Sequence, residues 1–208
     1  MMTHKSPFCV KQNFISPLLC EQLVSALQLR EPDTNKEGKY LPLIVRSEEC
    51  EELLFEKVQP LISLLEEYYP SFQYKGTESI SFEWYPANCS TSFRCENSEY
   101  LRKKWVKVRE RDVTAVIFFS DFNDKPPFES EYESYGGKLE FPQHKFGFNP
   151  QRGTMILYPS GPHFINMTTP VDYGDLFQAK IHFASKVPYL HTPDLFGGDY
   201  RSWFKEFV

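Results

Sequence analysis

The sequence predicts an α+β fold in which helices back an antiparallel sandwich or barrel. Three observations lead there. Apolar residues recur at helical spacing only in the first third of the chain. From about residue 79 they gather instead into short β-branched and aromatic runs bounded by Gly, Pro, Asn or Asp. Aromatic content is 16%, with 19 Phe and 12 Tyr among 208 residues, and such side chains suit pleated, half-buried surfaces.

The first helix is expected in "ISPLLCEQLVSALQLR". Ser16 is placed to cap it and Pro17 fits its first turn, after which Leu19, Leu23 and Leu27 recur on one face. The polar stretch "EPDTNKEGKY" ends it. Ser47 then caps a second helix whose Glu48 and Glu49 suit the positive end of the helix dipole. Leu53, Leu54, Val58, Leu61, Leu65 and Tyr68 form its apolar face, and Pro60 predicts a kink or a break into two helices. The runs "SISFEWY", "VTAVIFF", "GKLEFP", "GTMILYP" and "LFQAKIHF" are the expected strands. "LRKKWVKVRER", residues 101–111, reads as a further strand with Val106 and Val108 inward and Lys107 and Arg109 in water. The acidic, Pro-containing stretch 121–137 is the longest irregular segment, and loops of that length commonly carry function.

Composition narrows the function classes. A formal net charge of −5 and a pI near 5.6 give no bulk support for nucleic-acid binding. No run approaches the ~18 apolar residues of a membrane span, and "MMTHKSPFCV" has no secretory pattern, so a cytoplasmic or particle-associated setting is expected. The five cysteines form no C-x-x-C pair and are expected as free buried thiols.

One stretch carries a family resemblance. Gly136-Gly137-x-Leu139-x-Phe141-Pro142, then Pro150-x-x-Gly153, Tyr158 and Pro170-Val171-x-x-Gly174 occur in order; upstream lie Tyr85-Pro86 and "RDVTAVIFFSDFND". Over about residues 79–184 the chain resembles the 2-oxoglutarate/Fe(II)-dependent oxygenases of the prolyl-4-hydroxylase type. The resemblance implies one domain built as a double-stranded β-helix (a jelly roll), with helical support over 1–78, the core over 79–184 and a tail over 185–208. It also implies a site in the mouth of the jelly roll. There an H-x-D motif and a second His would hold Fe(II), and a later basic residue would pair with 2-oxoglutarate.

Carried across, the motif falls on other residue types. H-x-D lands on Arg94-Cys95-Glu96, the second His on Asn166, and the basic residue on Leu176. Arg has no lone pair to offer a metal, and only the carboxylate survives, as Glu96. Arg94 and Glu96 share a strand face and are expected to pair with each other. Cys95 points the other way, as a structural thiol. His163 is a surface-loop residue or, if its loop shifts, a substitute ligand; His144 reads as a turn residue. Leu176, Gln178, Lys180 and His182 share parity. The family register turns them into the barrel, where Lys180 and His182 become candidates for receiving a small carboxylate. Alternation alone favours the opposite, because Phe177, Ala179, Ile181 and Phe183 are wholly apolar.

The expected function is a non-catalytic relative kept for binding or assembly, with a viral or other multi-protein particle as its expected setting and no cofactor. The alternatives are an active hydroxylase using Fe(II) and 2-oxoglutarate at a rearranged site, and a sugar- or small-ligand-binding jelly roll. A protein partner is expected through the 121–137 loop or the C-terminal tail, with no nucleic acid and no membrane.

Overall fold

The computed structural model describes residues 6–30, 41–69, 71–124 and 132–187. Its elements run in chain order as β1 (Cys9–Lys11), α1 (Pro17–Gln28), β2 (Leu43–Val45), α2 (Glu48–Tyr68), β3 (Tyr74–Thr77), β4 (Ser81–Tyr85), β5 (Ser98–Leu101) and β6 (Lys104–Lys107). They continue as β7 (Val113–Phe118), β8 (Asp121–Phe122), β9 (Glu133–Gly136), β10 (Leu139–Phe141), β11 (Phe146–Phe148), β12 (Met155–Pro159), β13 (Met167–Thr168), β14 (Val171–Gly174) and β15 (Leu176–Ser185).

Both helices begin as expected. Ser16 accepts a hydrogen bond from the Leu19 amide and Ser47 from that of Cys50, each filling one of the orphan donors of a first turn. Pro60 does not break α2 in two: one helix of 21 residues runs through it. Val58 and Leu61 are buried on either side, so packing holds the helix together across its missing hydrogen bond. Leu53, expected on the buried face, is 38% exposed, and Cys50 is buried there instead.

The main sheet has the order β1-β12-β7-β15-β4-β2, and β3 pairs with the far end of β15. Two three-stranded sheets, β11-β10-β13 and β14-β9-β8, accompany it. Side chains of alternating parity enter two different cores. One joins the helices to the sheet through Leu23, Leu54, Leu65, Ile117, Phe177 and Ile181. The other, with Tyr85, Val116, Phe118, Phe141, Tyr158 and Leu176, fills the barrel. Every residue of β7 and β12 is therefore buried.

This arrangement corrects the alternation reading of β15. Phe177, Ala179, Ile181 and Phe183 do pack in a core, yet Gln178, Lys180 and His182 are 1%, 2% and 5% exposed on the opposite face. That face is not solvent but the barrel interior. Residues 101–111 are also corrected: they are not one strand. β5 and β6 make a two-stranded hairpin turning at Arg102 and Lys103, both with positive φ, and Val108 is 42% exposed. The described ends of the 121–137 stretch form the parallel pair β8–β9. Gly136, at the close of β9, has φ +88°, and a Cβ there would collide with the Pro170 carbonyl, so the Gly-Gly signature marks close strand contact with β14. No described helix is long and apolar enough to cross a membrane.

Candidate functional site

The polar end of the barrel is assembled from three places in the chain. β4 supplies Glu83, the segment before β5 supplies Arg94 and Glu96, and β15 supplies Gln178, Lys180 and His182. Register decides these meetings: Glu83 lies opposite Gln178, and Lys180 opposite Ser81. Arg94 and Asn166 form an isolated antiparallel bridge with reciprocal backbone hydrogen bonds of 2.9 and 3.0 Å. The three positions on which the iron motif falls are thus neighbours in space.

Their side chains form an ion network. Lys180 Nζ donates to Glu96 Oε1 at 3.2 Å and lies 3.7 Å from Glu83 Oε1. Arg94 reaches the same two carboxylates, with Nη2 3.4 Å from Glu83 Oε1 and Nε 3.5 Å from Glu96 Oε1. The expected Arg94–Glu96 pair is present, widened by Glu83, which sequence reasoning missed, and by Lys180, whose carboxylate partner is Glu96 rather than the expected ligand. Tyr85 and Gln178 each donate to Glu83 Oε2 at 2.7 Å. Tyr158 donates to Glu96 Oε1 at 3.4 Å, and His182 Nε2 stands 4.0 Å from Glu96 Oε2. Thr114 Oγ1 holds the other side of that imidazole, 3.0 Å from Nδ1. A lone carboxylate inside the aromatic run "SFEWY" was the one available signal for Glu83.

Electrostatics follow from burial and pairing. Burial alone raises a carboxylate pKa, but Lys180 and Arg94 outweigh it at Glu83, with help from Tyr85 and Gln178, and hold it down to about 2. The same two cations drive Glu96 well below the usual carboxylate range. His182 is pushed down to about 4, first by burial, with the Glu96 charge opposing, so it is neutral at pH 7. Two carboxylates face two cations, and the network closes on itself.

Other candidates fall outside this network. Leu176 is fully buried in the apolar barrel core, where it offers a dicarboxylate nothing. His163 is not a surface residue. It is 9% exposed in the short turn 162–164, where its carbonyl accepts from His144 Nε2 at 2.8 Å. His144 is in a turn, as expected. Cys95 is buried and its thiol donates to the Ser160 carbonyl at 3.4 Å, as a structural thiol does. Asn166 donates from Nδ2 to the Phe164 carbonyl at 3.1 Å, while its buried Oδ1 has no partner.

Over the network opens a cleft of about 1440 Å³, whose lining includes Arg94, Glu96, Lys180 and His182, with Phe93 and Arg111. Arg111 spans the rim, its guanidinium pairing with both oxygens of Glu78 at 2.8 and 2.6 Å.

This is the double-stranded β-helix of the prolyl-4-hydroxylase-type oxygenases. The viral collagen prolyl hydroxylase of Paramecium bursaria Chlorella virus-1, in its 2OG complex, superposes with a TM-score of 0.62 at 15% identity, over 90% of this chain and 100% of its own. A Pseudomonas putida prolyl-4-hydroxylase gives 0.65 at 15% identity, over 88% and 95%. The Trichoplax adhaerens prolyl hydroxylase, in complex with a hypoxia inducible factor peptide fragment, gives 0.65 at 16%, over 88% and 85%. No family model matches the sequence, and neither does any curated protein.

The Fe(II) and 2-oxoglutarate that this fold implies do not fit the donor set. Arg94, on which the resemblance maps the first imidazole, has no lone pair to offer a cation. Glu96 is already neutralised by Arg94 and Lys180. Among the described residues no group of three or more His, Cys, Asp or Glu side chains is placed to hold a metal.

Proposed function

We propose that this chain is a non-catalytic relative of the prolyl-4-hydroxylase-type oxygenases, in which the polar cleft serves binding or assembly. The observation that carries this reading is the double engagement of Glu96 by Arg94 and Lys180. Two fixed cations supply the positive charge a metal would bring, and neither offers it a lone pair. The protein partner expected through the 121–137 segment or the tail stays part of the proposal, as does a viral or other multi-protein particle as its setting. Tyr135, 40% exposed beside Phe122, lies in the described part of that segment. Residues 125–131 and 188–208 lie outside the described residues.

The test is an anaerobic calorimetric titration of metal-stripped protein with Fe(II), with and without 2-oxoglutarate, followed by a succinate assay after oxygen is admitted. We expect neither heat of binding nor succinate. Micromolar Fe(II) binding with succinate release would instead establish the rearranged enzyme, with Glu96 and His182 as the first ligands to substitute.

A further inference from the structure

We infer that the cleft above the ion network is a carbohydrate-binding site, holding an oligosaccharide without cleaving it. This deepens the non-catalytic reading and rests on it. Size is the first argument. At about 1440 Å³ the cleft exceeds the roughly 300–1000 Å³ typical of a single small-molecule pocket, and suits a ligand of several units.

Charge is the second. Seven carboxylates and six cationic side chains line the cleft, and on its floor Glu83 and Glu96 are matched by Arg94 and Lys180. A charged ligand finds no net attraction there. Adjacent hydroxyls, each able to donate and accept, find at the cleft surface the Glu78 carboxylate beside the Arg111 guanidinium, each already fixed by the other. Hydroxyls of Ser79, Ser81, Thr91 and Ser92 extend this polar lining.

Phe93 is the third. It directly precedes Arg94, lines the cleft, and is 60% exposed with no ring partner among the described residues. An exposed aromatic ring on the lip of a polar cleft offers a flat apolar platform. The C–H face of a pyranose is its natural complement.

Paired carboxylates in a cleft also suggest glycoside hydrolysis, but that chemistry needs one of them protonated to donate to the leaving oxygen. Here both are held ionised by Lys180 and Arg94, with Glu83 at about 2 and Glu96 well below the usual carboxylate range. The buried pair therefore offers no acid with which to cut a bound sugar.

The test is calorimetry of the whole protein with cellopentaose, maltopentaose, chitopentaose, xylopentaose and mannopentaose, alongside a reducing-end assay. We expect at least one to bind with a Kd of about 10–500 μM and to release no reducing ends. Phe93→Ala should weaken that binding at least about tenfold, with the melting temperature unchanged, and Phe93→Trp should restore it. Failure of all five sugars to bind, or undiminished binding by Phe93→Ala, overturns the inference. So does displacement of the sugar by a pool of unstructured decapeptides. Appearance of reducing ends refutes the non-cleaving part directly. Failure of the sugars with a silent Fe(II) titration leaves the non-catalytic reading standing, whereas succinate release removes that reading itself.

Discussion

Arg94 is the residue on which the site turns, because it touches both buried carboxylates while remaining about one-third open to the cleft. Removing its charge leaves Glu83 and Glu96 to share Lys180. Arg94→Met is expected to lower stability by about 2 kcal/mol, less than a fully buried pair would lose because the guanidinium is partly solvated. Adding Glu83→Gln in that background should recover part of the loss. Urea denaturation of the two variants checks this, and no recovery in the double variant would mean the network is not what holds the site.

Acid should dismantle the same network in two steps. His182 is neutral in the fold down to about pH 4 but titrates near 6.5 when unfolded, so the unfolded chain binds the extra proton and stability falls as pH drops from 6.5 to 4. Glu83, at about 2 in the fold against 4.5 unfolded, adds a further loss as pH falls from 4.5 toward 2. The His182 step is worth about 3 kcal/mol at most, and Glu96, held well below the usual carboxylate range, deepens the lower one. Melting curves across this range should show both limbs. His182→Asn should shrink the upper limb without removing it, because burial also pushes His163 down to about 4 and lowers His144, and it should keep the lower limb.

At the scale of elements, α2 shows how far packing overrides local preference. Pro60 is exposed, so its ring contributes nothing to the core, while its missing amide costs a hydrogen bond. Pro60→Ala is therefore expected to stabilise by about 1–2 kcal/mol after allowing for the looser unfolded chain. A lowered melting temperature would show that the proline shapes how α2 seats on the sheet. The caps of both helices were legible from Ser16, Ser47 and the acidic first turn, since capping depends on neighbouring residues only. Pro60's tolerance was not legible, because it depends on what Val58 and Leu61 pack against. Nor was the β5–β6 hairpin. Its turn uses Arg102 and Lys103 in the left-handed region, residue types that do not announce that conformation.

For the molecule as a whole, a fold built on two apolar cores, its buried carboxylates already paired with cations, should be indifferent to metal. EDTA is expected to leave the melting temperature unchanged, and so is added Fe(II); a rise on adding Fe(II) would reveal binding to the folded state that the donor set does not provide for. The double-stranded β-helix was legible in the order of short motifs, and the three neighbouring structures share it at 15–16% identity. A fold survives that much change because alternating burial, turn glycines and chain order constrain it at many positions, each weakly.

By itself, the sequence determined the types and order of the principal elements and the helix starts. The resemblance it carries maps the family's metal-ligand motif onto Arg94, Glu96 and Asn166. Each of these depends on neighbouring residues or on a short motif. Only the tertiary structure decided which face of β15 enters the barrel and which carboxylates share Lys180. The period-two signal distinguishes a wet face from a dry one, but helices cover one face of this strand and the barrel closes over the other. Glu83 and Gln178 are 95 positions apart, and strand register alone brings them together.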